Sequence, residues 1–113
     1  MGQVLKKKDI ILVPFPFSDQ SGSKKRPGLI ISHDRFNESS EDLIICAITS
    51  NVSNDKNTIV IKADDWKDGM YSESCVKAAI ILTIERSIVL KRIGRLSGER
   101  FKEVIEKVHS IIK

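Results

Sequence analysis

The sequence predicts a mainly β domain, either a small antiparallel barrel or a strongly twisted sheet, with one helix packed against it. Two observations predict this fold class. Short apolar runs alternate with turn-rich joints as far as Gly94, and beyond that point the apolar residues take up helical spacing. Because the 113 residues contain no Pro/Gly/Ser-rich linker, residues 1–113 are expected to form a single domain.

Five apolar runs predict strands, and a sixth run can add another. In the first run, 10–17, Pro14 and Pro16 lack the N–H that a sheet ladder needs, so this run is expected at a sheet edge or at a bulge. A polar segment, 32–42, separates the second and third strands, and residues 64–69 predict a turn or a short helical turn. The other strands are predicted at 28–31, 43–48, 58–61, 75–82 and 87–95.

The C-terminal segment predicts an amphipathic helix. Ser97 is a suitable N-cap, and Glu99 would place an acidic side chain in the first turn. The residues at helical spacing are Phe101, Val104, Ile105, Val108, Ile111 and Ile112.

Charge and cysteine content restrict the partner and the compartment. The 19 Lys and Arg residues exceed the 15 Asp and Glu residues, and the pI of about 9.2 favours an anionic partner. The basic residues cluster at 6–8, 24–26 and 91–95. Cys46 and Cys75 lie in apolar runs and are expected to be buried, reduced thiols. The sequence has neither a signal-peptide pattern nor an apolar run of about 20 residues, so a cytoplasmic protein without a membrane segment is expected.

Two predicted strand ends carry the candidate site. One strand begins after Lys24, Lys25 and Arg26, and Pro27 holds the arginine in an extended conformation at the mouth of the strand. Another strand ends at Thr49 and Ser50, where hydroxyl groups follow a buried run. Guanidinium, ammonium and hydroxyl groups all bind phosphate oxygens, so the two ends together predict a site for a polyanion.

The order of several motifs is similar to that of a known family. The motifs are DIILVPFPFSD at 9–19, SGSKKRP at 21–27, LIIS at 29–32, CAITSN at 46–51, the segment 74–85 and KRIGRLS at 91–97. In this order they closely resemble the PemK/MazF family of bacterial toxins. The resemblance implies an SH3-like small β-barrel that is usually a homodimer and that a cognate acidic antitoxin holds inactive. It also implies an endoribonuclease that uses no metal or other cofactor and cuts single-stranded RNA by 2′-OH attack, leaving 2′,3′-cyclic phosphate and 5′-OH ends.

The same resemblance implies catalytic roles for Arg26 and Thr49, and the chain departs from the family pattern in two respects. Lys8 stands where members commonly have glycine. Lys77 and Ala79 stand where some relatives have an arginine and an acidic residue that both assist proton transfer. Because Ala79 supplies no carboxylate, a toxin-like module that binds RNA or an antitoxin with weak or no cleavage is the alternative function. A plain scaffold for protein partners is a third reading, which leaves the basic strand mouth without a use.

The chemistry assigns further candidate roles. Arg26 can stabilise charge on the reacting phosphate, while Thr49 and Ser50 can position it by hydrogen bonds. The cations Lys24, Lys25 and Lys77 can attract the RNA backbone. His33 is a candidate for acid–base chemistry, although a histidine at a strand end is more often a surface residue. Asp19 is a candidate carboxylate, and an aspartate that caps a turn is the simpler explanation.

Overall fold

The computed structural model describes residues 4–14, 25–52, 55–69 and 71–112. These residues form one antiparallel sheet of seven strands that curls into a nearly closed barrel, in the order β4-β6-β3-β2-β1-β7-β5. The strands are β1 (Asp9–Pro14), β2 (Lys25–Ile30), β3 (Asp42–Thr49), β4 (Thr58–Ile61), β5 (Trp66–Lys67), β6 (Ser74–Glu85) and β7 (Lys91–Leu96). The helices are α1 (Asp34–Ser39) and α2 (Gly98–Ile112). The predicted fold class, a mainly β barrel with a C-terminal helix, is confirmed.

Three local features differ from the sequence prediction. The segment 32–42 contains α1, whose first turn is capped by His33 because the imidazole Nδ1 accepts the backbone N–H of Arg35 at 3.0 Å. The short helical turn predicted at 64–69 is present as the 3₁₀ turn Ala63–Asp65, but Trp66 then begins a two-residue strand. The region before β7 starts with a 3₁₀ turn, Arg86–Ile88. The first strand is described only as far as Pro14, so the remainder of the predicted run lies outside the described residues.

The central strands are buried on both faces. One face packs Ile10, Leu29 and Ile48 against side chains of α2, and the other face packs Ile11, Val13, Ile30 and Ile45 in a second cluster. Strands that are covered on both sides read as continuous apolar runs, which is the pattern that β1 and β3 show in the sequence. The doubly buried sheet holds the strand ends in fixed positions.

Helix α2 packs against β4 and β6. Its N-terminus is capped as predicted, because the backbone N–H of Arg100 donates to Ser97 Oγ at 3.2 Å. Phe101, Val104 and Val108 are the buried residues of the helix and join the first core cluster. None of the helices in the described ranges has the length and apolar character that crossing a membrane requires.

Both cysteines are buried and free, as the sequence predicts. Burial raises the pKa of the Cys46 thiol to about 12, because desolvation disfavours the thiolate.

Candidate nucleic-acid interface

Strands β2 and β3 bring Arg26 and Thr49 to the same end of the sheet. The last paired residues of these strands are Gly28 and Ala47, and Arg26 and Thr49 each lie two residues beyond that pair. Since side chains alternate between the faces of a strand, Arg26 and Thr49 are on the same face of the sheet. Both side chains are half-buried.

Strand β6 adds a second cation to this face. It pairs with β3 so that Thr49 lies opposite Cys75 and Ala47 lies opposite Lys77. Lys77 is therefore a diagonal neighbour of Thr49 on the shared face. We call the surface formed by Arg26, Thr49 and Lys77 the phosphate face.

The described contacts leave hydrogen-bonding capacity and positive charge unused on the phosphate face. Thr49 Oγ1 accepts the backbone N–H of Asn51 at 3.1 Å, which uses a lone pair and leaves the hydroxyl hydrogen to be donated to a phosphate oxygen. Within the described part of the chain, neither Arg26 nor Lys77 has a carboxylate within salt-bridge distance. Their positive charges are thus not neutralised by described carboxylates.

The basic cluster at 91–95 has a different use. Arg92 Nε lies 3.0 Å from Asp9 Oδ1, and its NH2 group lies 2.7 Å from Asp68 Oδ2. Arg95 is also within 3.6 Å of Asp9, which is 1% exposed. The hydrogen bonds from Arg92 to Asp68 and then to Asp9 raise the pKa of the guanidinium. These two arginines fix β7 against the start of β1, so they add less to a basic surface than the sequence suggests.

A cleft of about 390 Å³ opens beside Arg26 at the mouth of the barrel. Lys25 and Ser50 line this cleft, and Arg26 borders it as well. Alternation places Lys25 and Ser50 on the opposite face of the sheet from Thr49, which is not among the residues that line the cleft. We call this space the mouth cleft. Its other walls are Leu12, Pro27, Ile48, Trp66, Ser72, Ser74 and Ile93.

His33 lies away from both the phosphate face and the mouth cleft. It lies three residues beyond Ile30, the last residue of β2, and the four steps from Arg26 to Ile30 already span about 13 Å along the strand. His33 instead caps α1 and lines a different groove with Phe101 and His109. The sequence carries a signal of this separation, because Arg26 precedes and His33 follows the same predicted strand, 28–31.

Two other candidates, Asp19 and Lys24, lie outside the described residues. Ala79 is described, and it is exposed in a bulge of β6 that falls between the pairs Cys46–Ile81 and Ala47–Lys77. Of the described residues that line the mouth cleft, none is acidic. Over the same described ranges, no three His, Cys, Asp or Glu side chains are grouped to hold a metal ion.

Sequence reasoning missed the far wall of the mouth cleft. Trp66 comes from β5 and Ile93 from β7, while Ser72 and Ser74 lie just before and at the start of β6. The sequence predicts the strand before Ser97, but two residues of β5 are too few to predict its pairing with β7. Only the three-dimensional register shows that these residues line the same cleft as Arg26.

Comparison with known proteins identifies the family. The family model described as "PemK-like, MazF-like toxin of type II toxin-antitoxin system" matches residues 6–112, so the chain belongs to this family. Among curated proteins no sequence match was found.

Solved structures show the same fold at low sequence identity. A MazE–MazF crystal structure from Deinococcus radiodurans has a TM-score of 0.78 and 20% identity, and 97% of each chain is covered. The toxin MazF-mt6 of Mycobacterium tuberculosis has a TM-score of 0.72 and 19% identity, covering 90% of this chain and 93% of that one. An endoribonuclease in complex with its cognate antitoxin, from a mycobacterial species, has a TM-score of 0.75 and 12% identity, covering 94% and 92%.

Proposed function

We propose that this member of the toxin family is an endoribonuclease that cuts single-stranded RNA without a metal ion. In the proposed reaction the 2′-OH loses its proton to solvent water and attacks the adjacent phosphate, which breaks the bond to the 5′ oxygen and leaves 2′,3′-cyclic phosphate and 5′-OH ends. The observation that carries the proposal is the placement of Arg26 and Thr49 at neighbouring strand ends on one face.

Each group of the phosphate face has a role in this proposal. The Arg26 guanidinium binds two non-bridging oxygens and stabilises the charge that develops on the phosphate in the transition state. It also supplies a proton to the departing 5′ oxygen, and it regains that proton from solvent. Thr49 donates a hydrogen bond that orients the phosphate, because an unassisted hydroxyl is too weak an acid to act as a base. Lys77 adds positive charge beside it.

The cations and hydroxyl around this face hold the rest of the RNA. Lys24, Lys25 and Ser50 bind neighbouring phosphates, and the counterions that they release make binding depend on salt. Asp19 is kept in the proposal as a candidate carboxylate on the substrate side. His33 takes no part in the proposed step, which is consistent with its position beyond the other end of β2.

The partners proposed are a second copy of the chain and an acidic antitoxin, in the cytoplasm. Structural neighbours include a MazE–MazF complex and an endoribonuclease with its cognate antitoxin, which supports an antitoxin partner. Exposed apolar side chains favour a symmetric dimer, since Ile80 is 43% exposed and Leu90 is 47% exposed. Sedimentation equilibrium would show a monomer if the dimer is wrong.

A single assay tests the cleavage proposal. The purified protein is incubated with a long unstructured RNA and EDTA, and the ends of the products are identified by labelling the 5′-OH groups. We expect discrete cuts, and we expect Arg26→Ala to lower the rate about 100-fold or more because a transition-state donor is lost. Arg35→Ala is the matched control, since Arg35 is exposed on α1 away from the phosphate face. Cleavage that persists in Arg26→Ala, or that requires a divalent metal, would contradict the proposal.

The double variant Lys25→Arg with Arg26→Lys separates geometry from charge. It keeps the composition and net charge of the strand mouth but moves the guanidinium to the other face of β2. If the phosphate face performs the reaction, this variant loses as much activity as Arg26→Lys alone. Activity near that of the wild type would show that only the local positive charge matters.

The second candidate function is RNA or antitoxin binding without cleavage. The exposed Ala79 favours it, because the chain has no carboxylate at the position that would accept the 2′-OH proton. RNA that is retained on a filter without being cut would support this module and exclude the enzyme.

A further inference from the structure

The mouth cleft has the dimensions and the walls of a small-molecule site. Its volume of about 390 Å³ lies within the range of about 300–1,000 Å³ that ligand pockets occupy. Pro27, Ile48 and Ile93 give it an apolar surface, and Trp66 closes it from β5. The apolar part of a ligand can therefore be buried between Trp66 and the wall formed by Pro27, Ile48 and Ile93.

Trp66 is a fixed part of this wall. The residue is 7% exposed, and its ring meets Tyr71 edge-on with the centroids 5.9 Å apart. Tyr71 is itself held by a hydrogen bond from its hydroxyl to the carbonyl of Ile61 at 2.9 Å. The indole N–H has no hydrogen-bond partner in the described part of the chain, although buried donors are usually paired. A wall that is already in place need not be ordered when a ligand enters.

The polar groups of the cleft suit a nucleotide. Ser74 is buried, and its hydroxyl donates to the carbonyl of Ser72 at 3.0 Å, so its oxygen can still accept a hydrogen bond. Ser50 is exposed and can donate or accept. Lys25 and Arg26 supply positive charge at the rim. A flat, largely apolar ring with hydrogen-bonding edges, attached to a phosphate, matches this combination.

We propose that the mouth cleft binds one nucleobase of the RNA, the base next to the phosphate that Arg26 holds; this inference rests on the proposed function. The phosphate face and the mouth cleft lie on opposite sides of the same two strand ends, and Arg26 borders both. A strand of RNA that crosses these ends places a phosphate on one side and the attached base on the other. Trp66, Ser72 and Ser74 then contribute to the choice of base at the cut.

Because Trp66 is the only tryptophan of the chain, its indole N–H signal in a nitrogen-15 spectrum reports on the cleft without ambiguity. The full-length protein is titrated separately with the 3′-monophosphates of adenosine, guanosine, cytidine and uridine, and with ribose 5-phosphate. We expect at least one nucleotide to shift the indole signal saturably, with an affinity about tenfold or more above that of ribose 5-phosphate. We also expect the four bases to differ in affinity. Equal responses to all five compounds, or no indole shift with any of them, would overturn the inference.

A filled cleft provides the second test. Ser72→Phe places a large side chain at the edge of the cleft, and the hydrogen bond to Ser74 is kept because Ser72 accepts it through its backbone carbonyl. Ser87→Phe is the matched control, since Ser87 is an exposed serine in the 3₁₀ turn before β7. We expect Ser72→Phe to abolish the nucleotide-induced shift of the Trp66 indole signal and Ser87→Phe to retain it. An unchanged response in Ser72→Phe would contradict it.

The outcomes separate this inference from the proposed cleavage. Nucleotide binding at Trp66 with no cuts in long RNA would refute the nuclease and keep the base site. Cuts in long RNA without any indole response would refute the base site and keep the nuclease. Where both hold, sequencing of the product ends should show a changed base preference for Ser72→Phe.

Discussion

Replacing Gly94 with alanine should destabilise the protein, because the indole of Trp66 occupies the space that a side chain would need. Gly94 lies on β7, and an added Cβ would be 2.7 Å from Trp66 Cε2 and closer still to Nε1. Unstrained contacts between such atoms lie near 3.5–4.0 Å, so the ring would have to move by about 1 Å. Trp66 is 7% exposed and packed in the core, where overpacking typically costs about 1–3 kcal/mol.

For a domain of this size that cost corresponds to a fall in the melting temperature of roughly 4–12 °C. The measurement is thermal and urea denaturation followed by far-UV circular dichroism. Gly98→Ala is the matched control, since the nearest atom to its added Cβ is Lys8 Nζ at 3.8 Å. At the first position of α2, alanine should be neutral or slightly stabilising.

A double-mutant cycle isolates the contact. In a Trp66→Phe background the atoms that collide with the new Cβ are absent, so Gly94→Ala should cost less there than in the wild type. Unfolding free energies of Gly94→Ala and Gly98→Ala that agree within about 0.5 kcal/mol would refute the predicted clash. An equal cost of Gly94→Ala in the wild-type and Trp66→Phe backgrounds would refute it as well.

Three further predictions concern backbone strain, pH and thiol chemistry. Lys8 has a φ of 81°, a conformation that glycine adopts readily, so Lys8→Gly should raise the unfolding free energy by about 1 kcal/mol in urea titrations, whereas Lys8→Ala should not. The backbone N–H of Lys7 donates to Asp34 at 2.7 Å and is the largest cause of the lowered pKa of that carboxyl. The stabilisation of the folded protein by the ionised Asp34 carboxylate is therefore present above the ordinary pKa of 3.8, and it is lost as the pH falls through the lowered pKa of the folded protein. Asp34→Asn should accordingly reduce the unfolding free energy at pH 7 more than at pH 3. Cys46, with a pKa of about 12, should react with iodoacetamide only when the protein unfolds, and alkylation of the native protein at pH 8 would contradict this.

The fold was largely predictable because its strands are buried in a way that leaves a strong sequence pattern. The apolar runs of β1 and β3 follow from burial on both faces, and Ser97 marks the start of α2 with a side chain that caps it. The short helix α1 was not predictable. It has six residues, and its cap is an imidazole, His33, rather than one of the hydroxyl, carboxylate or amide side chains that usually mark a helix start.

The site was predictable only in part, for a geometric reason. Arg26 and Thr49 could be selected because each stands where an apolar run meets a polar segment. The wall of the mouth cleft could not be predicted from sequence, since Trp66 and Ile93 reach it through the pairing of β5 with β7 and of β7 with β1. Long-range register is set by the whole sheet, and a local sequence pattern does not contain it.

The alternation of side chains along β2 accounts for the division of the site into two surfaces. Lys25 and Arg26 are adjacent in sequence, yet a period of two places them on opposite faces. Arg26 is fixed on its face because it is paired with Val13, which is 1% exposed, and because Pro27 restricts the preceding backbone. A slip of one residue in this pairing would exchange the guanidinium for an ammonium on the phosphate face. The buried partner of Arg26 on β1 therefore positions the guanidinium that the proposed reaction requires, although Val13 itself touches no substrate in the proposal.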